Sequence, residues 1–182
     1  MIAAMAVFGL TSLVAAQDAE KPQAVWLTGT IKSVGETSLV VEANDKETTL
    51  ELNDKTVYRS EKSVGPDAIK SGNWLNCIGK PNEDKTLIEP ERVILSEEEL
   101  PGAAPTIANW MCVGVVDVSD GKITLKAGDK SIEVKLGDAT PVNLRKMLAK
   151  GDLKAGDSVR VQGGRVADVS TATLVAVLLP TD

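Results

Sequence analysis

Histidine is absent from the chain, cysteine occurs twice, and the aromatic residues are three tryptophans, one tyrosine and one phenylalanine. Without histidine there is no Ser-His-Asp triad, no imidazole base for a nucleophilic cysteine and no ordinary zinc set. So few rings leave no stacking platform for a single nucleic-acid strand. Basic charge is short as well: 20 Lys and Arg face 26 Asp and Glu, a formal net charge of -6 that repels a phosphate backbone. Nucleic acid is therefore not an expected partner, and no cofactor is expected.

Long apolar runs are also missing. Met1 to Ala16 carries no charge and is apolar over most of its length, but Gly9, Thr11 and Ser12 interrupt it, and a membrane span needs about 20 apolar residues. It ends Val14-Ala15-Ala16, a small-residue pattern suited to cleavage before Gln17, although no Lys or Arg precedes the apolar stretch. Residues 1–16 are expected to be a signal peptide. The mature product is then exported, periplasmic or extracellular, with no membrane span of its own.

What is present is a repeat. At a spacing of 84 residues the identical pairs include Ala24 and Ala108, Trp26 and Trp110, Val34 and Val118, Asp45 and Asp129, Lys46 and Lys130, Leu52 and Leu136, Asp54 and Asp138, Gly72 and Gly156, Gly79 and Gly163, Val93 and Val177, and Leu95 and Leu179. Such a run of matches marks a duplicated unit. Within each unit the apolar residues alternate, the period of a strand with one buried face. In the first unit this predicts strands over Trp26 to Val34, Ser38 to Ala43 and Thr48 to Leu52, with an Asn44-Asp45 turn between the second and third. In the second, Ile123 and Leu125, then Ile132, Val134 and Leu136, point inward on either side of a Gly128-Asp129 turn. Asn143 to Gly151 reads as a short helix, with Asn143 as N-cap, Leu144 and Leu148 one turn apart and Gly151 as its stop. Gly65-Pro66 breaks the equivalent segment of the first unit. A fourth strand lies in Trp74 to Gly79 and Ser158 to Gly163. A fifth closes each unit at Ile88 to Leu95 and Leu174 to Leu179.

Three strands, a short helix or loop, then two strands is the order of the five-stranded barrel that binds oligonucleotides or oligosaccharides, the OB fold. The expected architecture is all-β with one or two short helices: two tandem OB-like β-barrels, 17–95 and 110–182, joined by a linker, 96–109. Gly29-Thr-Ile-Lys-Ser-Val34, Leu39-Val-Val41 and the Gly156-Asp157 turn before the fourth strand resemble a family of exported bacterial domains of unknown function with OB-like barrels. That resemblance spans nearly all of the mature chain and implies tandem barrels; the family lends no catalytic residues.

Few residues carry chemistry. Cys77 falls on the fourth strand of the first unit and Cys112 on the first strand of the second; after export they either form a bridge or remain two buried thiols. Carboxylates gather at turns: Asp45, Glu47, Asp54, Glu83, Asp84, Asp120, Asp129, Asp138 and the run Glu97 to Glu99. They suit turn hydrogen bonding more than hydrolysis or calcium binding, and none follows an EF-hand spacing. Trp26 and Trp110, matched in the repeat, are expected to pack over a barrel end or the domain junction. With Leu75 and Cys77 inward, alternation turns Trp74 outward, as a contact for a sugar, a small ligand or a protein partner, or as a residue covered by the second domain. The expected function is a non-catalytic exported scaffold or protein-interaction module, with self-association or a protein partner. The alternative is a small-ligand or saccharide binder using the face around Trp74, and the third reading is a hydrolase using turn carboxylates.

Overall fold

The computed structural model describes residues 23–99 and 104–181; the expected signal peptide lies outside the described residues, as does the middle of the linker. The first repeat forms β1 (Gln23–Val34), β2 (Ser38–Ala43), β3 (Lys46–Glu51), β4 (Val57–Val64), β5 (Trp74–Ile78), β6 (Leu87–Ile88) and β7 (Arg92–Ser96). A short β8 (Thr106–Ile107) precedes the second repeat, which forms β9 (Met111–Ser119), β10 (Lys122–Ala127), β11 (Lys130–Val134), β12 (Val142–Met147), β13 (Ser158–Val166) and β14 (Val169–Leu178). The chain is all-β. Among the described residues its helical elements are two single 3₁₀ turns, Pro66–Ala68 and Lys150–Asp152, and no helix is long and apolar enough to cross a membrane.

Alternation and turn chemistry account for these strands. Leu39, Val41 and Leu50 are fully buried on β2 and β3, and Asn44 and Asp45 between them both take the left-handed backbone that a two-residue hairpin turn requires. Asp120-Gly121 does the same between β9 and β10. Close backbone approach explains two further glycines. A Cβ at Gly29 or Gly114 would collide with the carbonyl oxygen of Glu42 or Lys126 on the adjoining strand.

Pairing does not follow the division into 17–95 and 110–182. β1, β2 and β3 are antiparallel neighbours, but β1 also pairs with β13, β13 with β14, and β14 returns in parallel to β3. Three strands of the first repeat are thus closed into a circuit by two strands of the second. The reciprocal circuit sets β9, β10 and β11 against β6, and joins β5 to both β7 and β9. The chain crosses from one circuit to the other along β4 and back along β12. These two strands pair antiparallel, and each lies parallel to the last strand of one circuit, β4 on β14 and β12 on β7. All the numbered strands therefore belong to one hydrogen-bonded sheet system.

Burial follows the same exchange. One core cluster holds Ile31, Leu39, Val41, Leu50 and Leu52 with Leu153, Val159, Val161, Ala172, Val175 and Val177; the other holds Leu75, Cys77, Ile88, Val93 and Leu95 with Cys112, Val116, Leu125, Ile132 and Val134. Burying such a side chain fully is worth about 1.5–3 kcal/mol. Neither repeat can gain this alone, because its apolar face is completed by the other.

The segment read as a helix from Asn143 to Gly151 is instead β12 as far as Met147, and only its end, from Lys150, enters a single 3₁₀ turn. Its Leu144–Leu148 spacing suggests a helical turn, but Val142 is buried, Leu144 packs on the second core, and β4 and β7 supply partners along both edges. Tertiary pairing overrides the local preference. The repeat also departs from a constant spacing. Gly29 faces Val159 and Gly114 faces Leu75, so these glycines are counterparts although 85 residues apart, and a bulge between Ile31 and Ser33 supplies the extra residue in β1. In the final strands Leu95 faces Leu75 and Val177 faces Val159, a spacing of 82. The identities of Val93 with Val177 and Leu95 with Leu179 are therefore not structural equivalences.

Candidate functional site

The crossover places two copies of one position against each other. Glu61 on β4 faces Arg145 on β12, and the two residues stand one repeat length, 84, apart. A residue meeting its own counterpart lies on the approximate twofold that relates the repeats. In a symmetric pair of identical copies it would meet itself, and like charges facing across strands destabilise. The duplicated chain places opposite charges there instead.

More cations converge on that axis. Arg145 Nε donates to Glu61 Oε1 at 2.9 Å, Arg59 Nη2 lies 2.7 Å from the same oxygen, and Arg160 Nη1 reaches Oε2 at 3.4 Å. The side chains of Glu61, Arg145 and Arg59 are only 11%, 17% and 18% exposed, so the pairing is shielded from solvent. Burial, then the neighbouring Arg59, pulls the Arg145 guanidinium below its ordinary range; Glu61 opposes the shift and Arg92 adds to it. Arg59 Nε is buried without a hydrogen-bond acceptor. Four of the five arginines in the chain, Arg59, Arg92, Arg145 and Arg160, thus gather around a single carboxylate.

Beside them opens a cavity of about 280 Å³, lined by Glu61, Ser63, Arg92, Ile94, Asn143, Arg145, Arg160, Leu178, Leu179 and Thr181. Every strand contribution follows from register: Asn143 faces Ser63 and Ile94, Arg145 faces Glu61 and Ser96, and Arg160 faces Ala176. On the far side of Arg145 a smaller depression is lined by Ser96, Glu97, Glu98, Glu99, Lys146 and Met147. There Glu97 is engaged by Lys146 at 3.0 Å. A separate cavity of about 290 Å³ at the end of the first circuit contains Glu36, Asp54, Thr56, Tyr58 and Lys150.

Trp74 belongs to the same face as the arginines. It is half-buried, flanked by inward Leu75, and sits opposite Ser96, whose other neighbour is Arg145. Trp26 and Trp110 behave otherwise than expected. They are 69% and 63% exposed, and the bulge in β1 makes Met111, not Trp110, the counterpart of Trp26. Their identity at constant spacing therefore carries no shared packing role. Cys77 and Cys112 lie opposite each other on β5 and β9, both fully buried and both free thiols. Burial pushes the Cys77 thiol up to about 12, with Cys112 adding to the shift, and burial also raises Cys112. The turn carboxylates stay apart: Asp45 and Asp120 occupy separate left-handed turns, and among the described residues no three His, Cys, Asp or Glu gather as a metal set.

The arginine cluster was not singled out by sequence, because its members are spread from β4 to β13 and only strand exchange collects them. One signal was available: Glu61 and Arg145 occupy the same repeat position with opposite charge. Comparison of the chain with protein-family models, with curated proteins and with solved structures finds no match.

Proposed function

We propose that the chain is an exported, non-catalytic binding module in which two OB-like barrels, each completed by strands of the other repeat, hold a partner-engaging face between them. The observation that carries this reading is the gathering of four arginines on the crossover face of a chain that is acidic overall. Arginine forks recognise carboxylates and phosphates in a fixed geometry. Glu61, the one carboxylate among them, has both oxygens engaged by guanidinium groups, so it is not free to take a proton from a substrate. Trp74 extends the face as a flat contact at its margin. Export also gives the facing cysteines a role: opposite residues of antiparallel strands have Cα atoms about 4.5–5.5 Å apart, within the roughly 4.4–6.8 Å that a disulfide bridges.

A photo-reactive side chain at Ser63, exposed beside the cavity, tests the reading in producing cells, with Asp129 at a remote turn as the control. A discrete adduct from position 63 and none from 129 is expected. An adduct of twice the chain mass identifies self-association, and any other mass a separate partner. No adduct from position 63 sinks the proposal.

A further inference from the structure

We infer that the cavity between the crossover strands binds a small oxyanion carrying at least two negative charges, held by Arg92, Arg145 and Arg160. The inference rests on the crossover face being the binding surface and adds the chemistry of what it takes. The first argument is donor supply. A guanidinium presents five N–H groups in a planar fork. Arg145 gives its Nε to Glu61, Arg160 reaches Glu61 only at 3.4 Å, and Arg92 makes no ion pair among the described residues. Most of the donors lining the cavity are therefore unspent, and Ser63, Asn143 and Thr181 add hydroxyl and amide groups to the same wall.

Charge is the second argument. Three arginines and one carboxylate line the cavity, and Arg145 is partly desolvated with Arg59 and Arg92 both acting against its charge. Buried or half-buried charges are ordinarily balanced by a partner. Glu97 to Glu99 do not serve here, since they line the depression on the other side of Arg145 and Glu97 is held by Lys146. Three guanidinium groups against one carboxylate leave two positive charges in excess, and a monatomic anion such as chloride has one centre and cannot bridge three forks, whereas an anion with several oxygens can. Size agrees: about 280 Å³ is several times the roughly 30 Å³ share of one water, enough for such an anion with part of its hydration. The repeat counterpart of this cavity is the depression at Ser96 to Glu99 and Met147, which carries three carboxylates and neither Arg92 nor Arg160, so one ligand per chain is expected rather than one per repeat.

Calorimetric titration of the mature chain with inorganic phosphate, and separately with citrate, against chloride at matched ionic strength, tests this. Binding at one site per chain beyond the chloride control is expected. Phosphate alone binding identifies a phosphoryl-type ligand, citrate alone a polycarboxylate, and both a general oxyanion site. Arg92→Gln with Arg160→Gln should weaken that binding at least tenfold while leaving the unliganded melting temperature nearly unchanged, because neither side chain is deeply buried. Ser63→Asp, which puts a negative charge on the wall, should weaken it in the same direction. No binding beyond chloride, or full affinity in the double arginine variant, overturns the site. A chain that binds neither anion yet still gives the position-63 adduct keeps its partner surface and loses only this ligand; anion binding without an adduct does the reverse.

Discussion

The two circuits are built from corresponding strands in the same order, yet they differ where each is completed by the other repeat. In the first circuit Leu27 faces Val161; at the matching place in the second, Cys112 faces Cys77. The first circuit ends in one continuous β14, while its counterpart is split into β6 and β7 around Glu89-Pro90-Glu91, as expected where proline removes a ladder donor. The first carries a bulge in β1 that β9 lacks. Duplication within one chain allows such differences, because each copy has only to complete its partner. The Glu61–Arg145 pair shows the same freedom at the axis: a position that must match itself in a symmetric dimer holds opposite charges here.

Cutting the linker would break the comparison most directly. If each repeat closed its own circuit, cleavage at a protease site introduced within residues 100–103 would release two independent halves. With strands exchanged, the nicked halves should stay together on a sizing column and separate only in denaturant. Next in size is Glu61→Gln, which leaves buried arginines without their carboxylate. Removing one partner of a buried ion pair costs about 3–5 kcal/mol, and since the axis is common to both circuits, denaturation followed by tryptophan emission should show one shifted transition rather than two.

Cys77→Val separates the circuits instead, giving the second circuit the residue the first has at Val161. In oxidised protein it removes a bridge closing a loop of roughly 35 residues, worth about 4 kcal/mol by chain entropy; in reduced protein a swap of similar volume should cost under about 1.5 kcal/mol. Equal stabilities of variant and parent under oxidising conditions would show that the cysteines are not joined. Gly29→Ala and Gly114→Ala, by contrast, should each destabilise by about 1–3 kcal/mol, as overpacking does, because the same backbone approach occurs in both circuits.

These differences mark how far the sequence is legible. Leu39 and Val41, Ile132 and Val134, Trp74 against Leu75 and Cys77 all fall on the expected sides, because alternation and turn residues act locally. Which copy supplies β13 or β5 to a circuit has no local signature: Val159 and Val161 alternate identically whether they pair with their own repeat or the other. β4 and β12 are hard to recognise as strands for a related reason. Crossover strands carry charged and polar residues on one face, Arg59 and Glu61 or Asn143 and Arg145, so the apolar alternation that announces a strand is thin. The arginine cluster inherits that invisibility, since its strands come together only through the exchange.

The smallest expected effect is a pH dependence confined to the reduced second circuit. Burial raises the Cys77 thiol to about 12 in the folded chain, above its value in the unfolded chain, which is near 8.5. Folding therefore favours the protonated thiol: its contribution is complete below the unfolded value and is lost as pH rises through the folded one. By pH 10 this alone should remove on the order of 1–2 kcal/mol. Tyr58 beside the first core, also raised by burial, acts with the same sign at somewhat higher pH. Denaturation midpoints of reduced parent and Cys77→Val at pH 8 and pH 10 distinguish the two. The parent should lose more stability than the variant over that interval, and the loss remaining in the variant then belongs to Cys112 and to groups such as Tyr58. Equal losses would mean that Cys77 is far better solvated than its place between β7 and β9 implies.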